Sequence, residues 1–396
     1  MLEVGEAQSI VLSATKRLRP EVTALTSSAL EMVTAEDVLA DTDSPPFAKS
    51  MMDGYAVRAM DCVEPCELEV IEEIAAGSLP LKAVHQGQCA RIFTGAPLPE
   101  GADAVVMVEK TDLLPNGRVA IREAGFPPGK HVFPQGAEWK EGDIVVPSGT
   151  MITPISFGLF ASCGRTAVAC TPNPRISIIC TGNEIVEANM KPKGPQIRNS
   201  NGPMLVAQSV RAGALPRYLG IAKDTKKMLA ALMREGLGNS NIMILAGGVS
   251  AGSLDLVPGT LEGLGVTIHF HKVRIKPGKP LLFGTHGDTL VFGLPGNPVS
   301  AFVGFELFVR PALRAMMGRS GESDKVISGT LTNDFKTKND RPTYHPATLS
   351  SQGVSATQWA GSADLRSLLT ANALLVLPAG DVSYKAGQSV SMIPIK

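Results

Sequence analysis

Three short apolar runs between residues 176 and 300 each end in a glycine-rich polar loop that leads into a helix-like segment, and this shared grammar constrains the fold most. They read Ile178-Ile-Cys-Thr-Gly-Asn-Glu184, Ile244-Leu-Ala-Gly-Gly-Val-Ser-Ala-Gly-Ser253 and Phe292-Gly-Leu-Pro-Gly-Asn-Pro-Val-Ser300. The runs Ile176 to Cys180, Ile242 to Leu245 and Thr289 to Phe292 are short and continuous, as expected of parallel strands buried on both faces. Helical segments Pro203 to Arg211, Lys226 to Arg234, Leu256 to Gly263 and Val299 to Met317 alternate with them, which predicts a parallel or mixed doubly wound sheet. In such a sheet a ligand lies beyond the carboxyl ends of the strands. Loop N–H groups and helix dipoles there favour anions, and glycine lets the backbone approach closely. Three such loops on one sheet predict an anionic, phosphate-bearing ligand, although Leu294-Pro-Gly-Asn-Pro298 alone would read as an ordinary turn. None matches a Walker loop or G-x-G-x-x-G, so simple ATPase and dinucleotide dehydrogenase readings lose support.

The flanking sequence has a different texture. Ala7 to Arg19 reads as a short amphipathic helix stopped by Pro20, and Ala29 to Leu39 as a second helical or mixed segment. From Cys66 to Val146, short apolar runs broken by prolines and the Pro115-Asn-Gly117 turn predict a small β domain. Thr153-Pro154 caps a helix that ends at Cys163-Gly164. Beyond Gly318, runs such as Ala373 to Leu377 and Ser389 to Ile395 predict a final β domain. At 396 residues the chain has room for two to four domains. Its 37 Lys and Arg cancel 37 Asp and Glu, so the electrostatic footprint of a nucleic-acid binder is missing. No apolar run approaches a membrane span, and Glu3 and Glu6 argue against a signal peptide. The six cysteines contain no C-x-x-C pair, which predicts reduced thiols in a cytosolic setting.

Candidate chemistry clusters around the loops. Lys272-Val-Arg-Ile-Lys-Pro-Gly-Lys279 puts four cations in eight residues. A solvated face is the usual meaning of a charge run, but its position and its Pro277-Gly278 turn favour an oxyanion clamp, to which lysine contributes a compact point charge. The acidic candidates are Asp53, Glu184, Asp224 and Asp255. Magnesium takes one or two carboxylates with phosphate oxygens, which favours Glu184 and Asp255; Asp224 serves as well as a helix cap. His269 and His271 lack a third ligand of matching spacing, so no zinc site is expected. No G-x-S-x-G elbow is present.

Taken together, Ser50-Met-Met-Asp-Gly-Tyr-Ala56, Phe93-Thr-Gly-Ala-Pro-Leu-Pro-Glu-Gly-Ala-Asp-Ala-Val105, Thr181-Gly-Asn-Glu184, Asn199-Ser-Asn-Gly-Pro-Met-Leu205, Gly247-Gly-Val-Ser-Ala-Gly252, Lys276-Pro-Gly-Lys279 and Leu294-Pro-Gly-Asn-Pro-Val-Ser300 occur in the order of the molybdopterin molybdenumtransferase (MoeA) family. The chain resembles that family, which includes the gephyrin E domain, over nearly its whole length. The resemblance implies a multidomain α/β plus β protein: a discontinuous linking domain at 1–43 and 141–168, a β domain at 44–140, a central three-layer molybdopterin-binding α/β domain at 169–318 and a C-terminal β-barrel at 319–396. It implies a cytoplasmic homodimer that inserts molybdate into adenylated molybdopterin with Mg²⁺ and releases AMP, with the molybdopterin adenylyltransferase as a partner. The alternative is a non-catalytic molybdopterin-binding scaffold or carrier.

Carried over by residue, Asp53, Glu184, Asp224 and Asp255 are the implied catalytic carboxylates, with Glu184 and Asp255 on the metal. Asp53 and Thr94 would face the active site of the other subunit. Thr181, Gly182, Gly247, Gly248, Ser250, Lys272, Lys276, Lys279, Pro295, Gly296, Asn297 and Ser300 would bind substrate. Phe133 and Glu138 depart from a common Arg and Asp. Pro346, in Arg341-Pro-Thr-Tyr-His-Pro346, replaces a second Arg.

Overall fold

A computed structural model describes residues 1–249, 256–319 and 326–395. They fall into two compact units, one of residues 1–35 and 169–396 and one of residues 36–168. The first is built on a six-stranded sheet whose strands are β1 (Arg175–Thr181), β2 (Leu215–Ala222), β3 (Ile242–Ala246), β4 (Thr267–Lys272), β5 (Pro280–His286) and β6 (Thr289–Leu294). Their spatial order is β2-β1-β3-β6-β5-β4. The first four in that order run parallel, and β5 and β4 close the edge antiparallel.

Because neighbouring side chains on a strand point to opposite faces, the continuous apolar runs feed two cores. Ile179, Met243, Leu245 and Val291 pack with Leu229, Met233 and Leu261 from helices α1 (Lys226–Asn239) and α2 (Val257–Gly263). Ile178, Ile244 and Phe292 pack on the other face with Leu205 of helix Asn201–Arg211 and with Val303, Phe308 and Leu313 of the segment after β6. The expected three layers result. The amino-terminal helix, Val4–Ala14, buries Val4, Ala7 and Val11 in this second core. It ends at Ala14 rather than Arg19; beyond it the Leu18 N–H is bonded to the Met316 carbonyl (2.9 Å), outside any helical ladder.

Of the helical and mixed readings of Ala29 to Leu39, the structure takes the mixed one. A short 3₁₀ turn at Ser27–Ala29 gives way to strands Val33–Thr34 and Val38–Leu39. Their β-branched residues suit the pleated pairings with Thr171 and Val146 better than a helix.

The carboxy-terminal part forms a five-stranded antiparallel sheet around Leu331, Ala347, Val354, Leu375 and Met392. Thr332 N–H donates to the Val354 carbonyl (2.9 Å), so the edge strands meet and the sheet curls toward a small barrel. The second unit holds a six-stranded sheet that includes Gly54–Val57, Cys66–Ile74 and Arg118–Ile121, with separate cores on its two faces. Its helix Pro154–Ser162 starts at the predicted Thr153, whose hydroxyl accepts from Ser156 N–H (3.3 Å).

Candidate active-site cleft

The carboxyl ends of β1, β3 and β6 open into a cleft of about 1320 Å³, bordered on its other side by the carboxy-terminal domain. Local backbone chemistry explains why these loops are glycine-rich. A Cβ on Gly247 would stand 2.6 Å from the Thr181 carbonyl, and one on Gly248 2.6 Å from Thr181 Oγ1, so any side chain would collide with the end of β1. Both glycines also adopt positive φ.

The basic loop is held by backbone bonds that cross to the carboxy-terminal domain. Lys276 N–H donates to the Pro342 carbonyl (2.9 Å), and Tyr344 N–H donates to the Lys276 carbonyl (2.8 Å). Asn297 Nδ2 donates to Ser362 Oγ (2.9 Å) and Val299 N–H to the Ser362 carbonyl (3.0 Å), tying the loop after β6 to the same domain. Asp224 and Asn183 clasp reciprocally, each side-chain oxygen accepting the other's backbone N–H at 3.2 Å. This fixes Asp224 at the cleft, and both it and Glu184 are exposed lining residues.

Of the expected site residues, Thr181, Gly182, Glu184, Asp224, Gly247, Gly248, Lys276, Lys279, Pro295, Gly296, Asn297 and Ser300 line this one cleft. Lys272 does not. It ends β4, exposed and away from the cleft, and the neighbouring Arg274 is bonded to Glu3 (3.0 Å). The eight-residue cationic run is therefore divided between two surfaces. Ser250 and Asp255 lie outside the described residues. Asp53 and Thr94 belong to the 36–168 unit, where Thr94 N–H and Oγ1 both donate to Asp53 Oδ1 at 2.8 and 2.7 Å. Those two bonds hold the Asp53 carboxyl below its ordinary pKa.

The cleft also draws on residues not picked out as binders from sequence: Arg198, Asn199, Asn201, Lys336, Arg341, His345 and Trp359. Asn199 and Asn201 lie in a quoted motif, so a signal existed. Lys336 and Trp359 come from distant carboxy-terminal segments and carried none. His345 is buried and donates Nδ1–H to the Pro346 carbonyl (2.8 Å), with Phe335 and Trp359 edge-on at ring separations of 5.1 and 5.0 Å. Burial, with a lesser contribution from Lys276, lowers its pKa and keeps it neutral at pH 7. Among the described lining residues, five cations (Arg198, Lys276, Lys279, Lys336, Arg341) face two carboxylates (Glu184, Asp224). The cleft is therefore suited to a polyanion.

Comparison with known proteins agrees with this architecture. Residues 2–164 match the MoeA N-terminal region (domain I and II), residues 177–315 a probable molybdopterin-binding domain, and residues 328–395 the MoeA C-terminal region (domain IV). The molybdopterin molybdenumtransferase of Bacillus subtilis (strain 168) is 35% identical over 100% of this chain and 94% of its own length. The protein of the same name from Staphylococcus aureus (strain Mu50) is 34% identical over 94% of this chain and 91% of its own. A crystal structure of a molybdopterin biosynthesis MoeA protein from Pyrococcus horikoshii OT3 superposes with a TM-score of 0.84 at 27% identity, covering 100% of both chains. Sequence, fold and the arrangement of the cleft agree, and the chain belongs to the molybdopterin molybdenumtransferase (MoeA) family.

Proposed function

We propose that the chain is a molybdopterin molybdenumtransferase of molybdenum cofactor biosynthesis. It acts in the cytoplasm as a homodimer on adenylated molybdopterin and molybdate, and receives the nucleotide-linked pterin from the molybdopterin adenylyltransferase. The supporting observation is a single cleft in which glycine loops, the lysines of one turn and two carboxylates converge. The glycine loops let the ligand lie directly against backbone at the strand ends. Lys276 and Lys279 hold the oxyanion, and Glu184 and Asp224 orient the water or metal side of the phosphoanhydride.

Mg²⁺ suits this donor set. It requires oxygen ligands and is held through one or two carboxylates together with substrate phosphate and water. Among the described residues no group of three His, Cys, Asp or Glu side chains could hold a metal by itself, so Glu184 and Asp224, with Asp255 as the further carboxylate, would hold the ion jointly with substrate. When bound, the ion offsets charge on the phosphoanhydride as AMP leaves. The test is incubation with adenylated molybdopterin, Mg²⁺ and either molybdate or tungstate, followed by AMP measurement. Oxyanion-dependent AMP release is expected. Tight pterin binding with no AMP release would favour the carrier.

A further inference from the structure

Four described residues of the cleft lining carry a buried polar atom with no hydrogen-bond partner within the protein: Asn339 Nδ2 and Arg341 Nε in the carboxy-terminal domain, and, beside the glycine loops, Asn201 Oδ1 and Thr181 Oγ1. Asn201 and Thr181 are 8% and 3% exposed, so each is more than nine-tenths buried. A buried acceptor or hydroxyl left unpaired keeps the cost of its lost hydration, which makes two of them in one pocket wall a sign of ligand contact. The orientation of Asn201 is fixed. Its Nδ2 donates to the Gly296 carbonyl (2.7 Å), which can only accept, so Oδ1 is the atom left free.

The two residues flank one floor. Thr181 Oγ1 lies 2.6 and 3.1 Å from where Cβ atoms on Gly248 and Gly247 would be, and the Gly247 Cα is 3.8 Å from the same position on Gly296. Gly247 and Gly296 put backbone without side chains between the two residues, which contribute a fixed acceptor and a rotatable hydroxyl.

We propose that Asn201 and Thr181 read the lactam edge of the pterin. Asn201 Oδ1 accepts the ring N3–H, and Thr181 Oγ1–H donates to the adjacent O4. The assignment rests on the pterin reading of the cleft and places the ring over Gly247 and Gly296, leaving the Lys276–Lys279 turn to the anionic end. It carries a specificity consequence. A 2,4-diaminopteridine has no N3–H and presents a lone pair to the fixed Asn201 oxygen, and a site built to bond one partner rejects the mismatched one.

The experiment titrates the full chain with 6-hydroxymethylpterin and with its 2,4-diamino analogue, following pteridine fluorescence. Wild type is expected to prefer the 4-oxo form at least tenfold. Asn201→Ala and the near-isosteric Thr181→Val should each lose most of that preference, with thermal melting reporting that the variants are folded. If wild type binds the 4-oxo form without preference, or if both folded variants keep the preference, the assignment is overturned while the pterin reading survives. If wild type binds neither pteridine, both fall.

Discussion

Lys276 and Lys279 are three residues apart and reach the same cleft, whereas Lys272 and Arg274 of the same run do not. Sequence shows the charge density but not this division, because the side to which each residue of an extended segment points is set by its pairing partners. Lys276→Ala and Lys279→Ala should therefore raise the molybdate concentration needed for AMP release by tenfold or more, while Lys272→Ala leaves it unchanged. Thermal stability should change by no more than about 0.5 kcal/mol in each, since no core packing is lost. Equal effects at all three positions would count against the clamp. All six cysteines are free thiols. Burial pushes Cys89 up to about 12 and Cys180 up to about 11 from a starting value of 9.0. At pH 8 both stay protonated, so iodoacetamide should label them in urea but not in the native protein, as read by mass spectrometry. The unfolded chain ionises near 9.0 while the folded one retains these protons, so the melting temperature should fall as pH rises from 9 to 11. The departures from family pattern also find local partners. Phe133 carries the Lys49 ammonium 5.4 Å from its ring centroid, and buried Pro346 offers its carbonyl to His345 and Thr357.

At the scale of elements, the run after β6 is read from sequence as one helix, and the structure gives two α-helical segments, Pro298–Gly304 and Arg310–Met317, joined by a π segment, Phe305–Val309. Single π turns inside α-helices are uncommon. Here the segment carries Glu306, whose carboxylate is fully buried and meets Arg211 (2.8 Å), Gln208 (2.7 Å) and Arg310 (3.0 Å). Removing one partner of a buried ion pair costs about 3–5 kcal/mol. Glu306→Ala should sit near the lower end, because Arg211 is half exposed and water can take over its charge. A chemical-denaturation midpoint unchanged from wild type would contradict this. A smaller effect is expected at Thr153, whose cap is legible in sequence. Thr153→Ala should cost about 1 kcal/mol, checked by the same denaturation curve.

At the scale of the whole molecule, residues 36–168 form an insertion. The chain leaves at Ala35 and returns at Ala169, which are hydrogen-bonded neighbours (2.7 Å), and Cys170 pairs with Thr34 just inside. Because the inserted unit has its own cores, replacing it with a short Gly-Ser loop between Ala35 and Ala169 should leave a cooperatively folding protein. That protein should bind pterin within about threefold of wild type, since every described residue lining the cleft lies outside 36–168. Failure of the shortened chain to fold would show that the cleft-bearing unit depends on the insertion.

The sequence by itself determined the strands, loops and helices of the α/β domain, because burial on both faces demands continuous apolar runs and close backbone approach demands glycine. It also determined the family, since the ordered motifs are local strings. Tertiary structure decided which polar residues meet. The Thr343–Ser350 strand and the Trp359 to Ser362 loop return to the cleft from far along the chain, and the amino-terminal helix packs into a core more than 160 residues away. Only the closed fold leaves Asn201 Oδ1 and Thr181 Oγ1 without partners. Local pattern specifies what each segment can become, whereas the pairing of distant segments rests on shape and burial that exist only once the whole chain has folded.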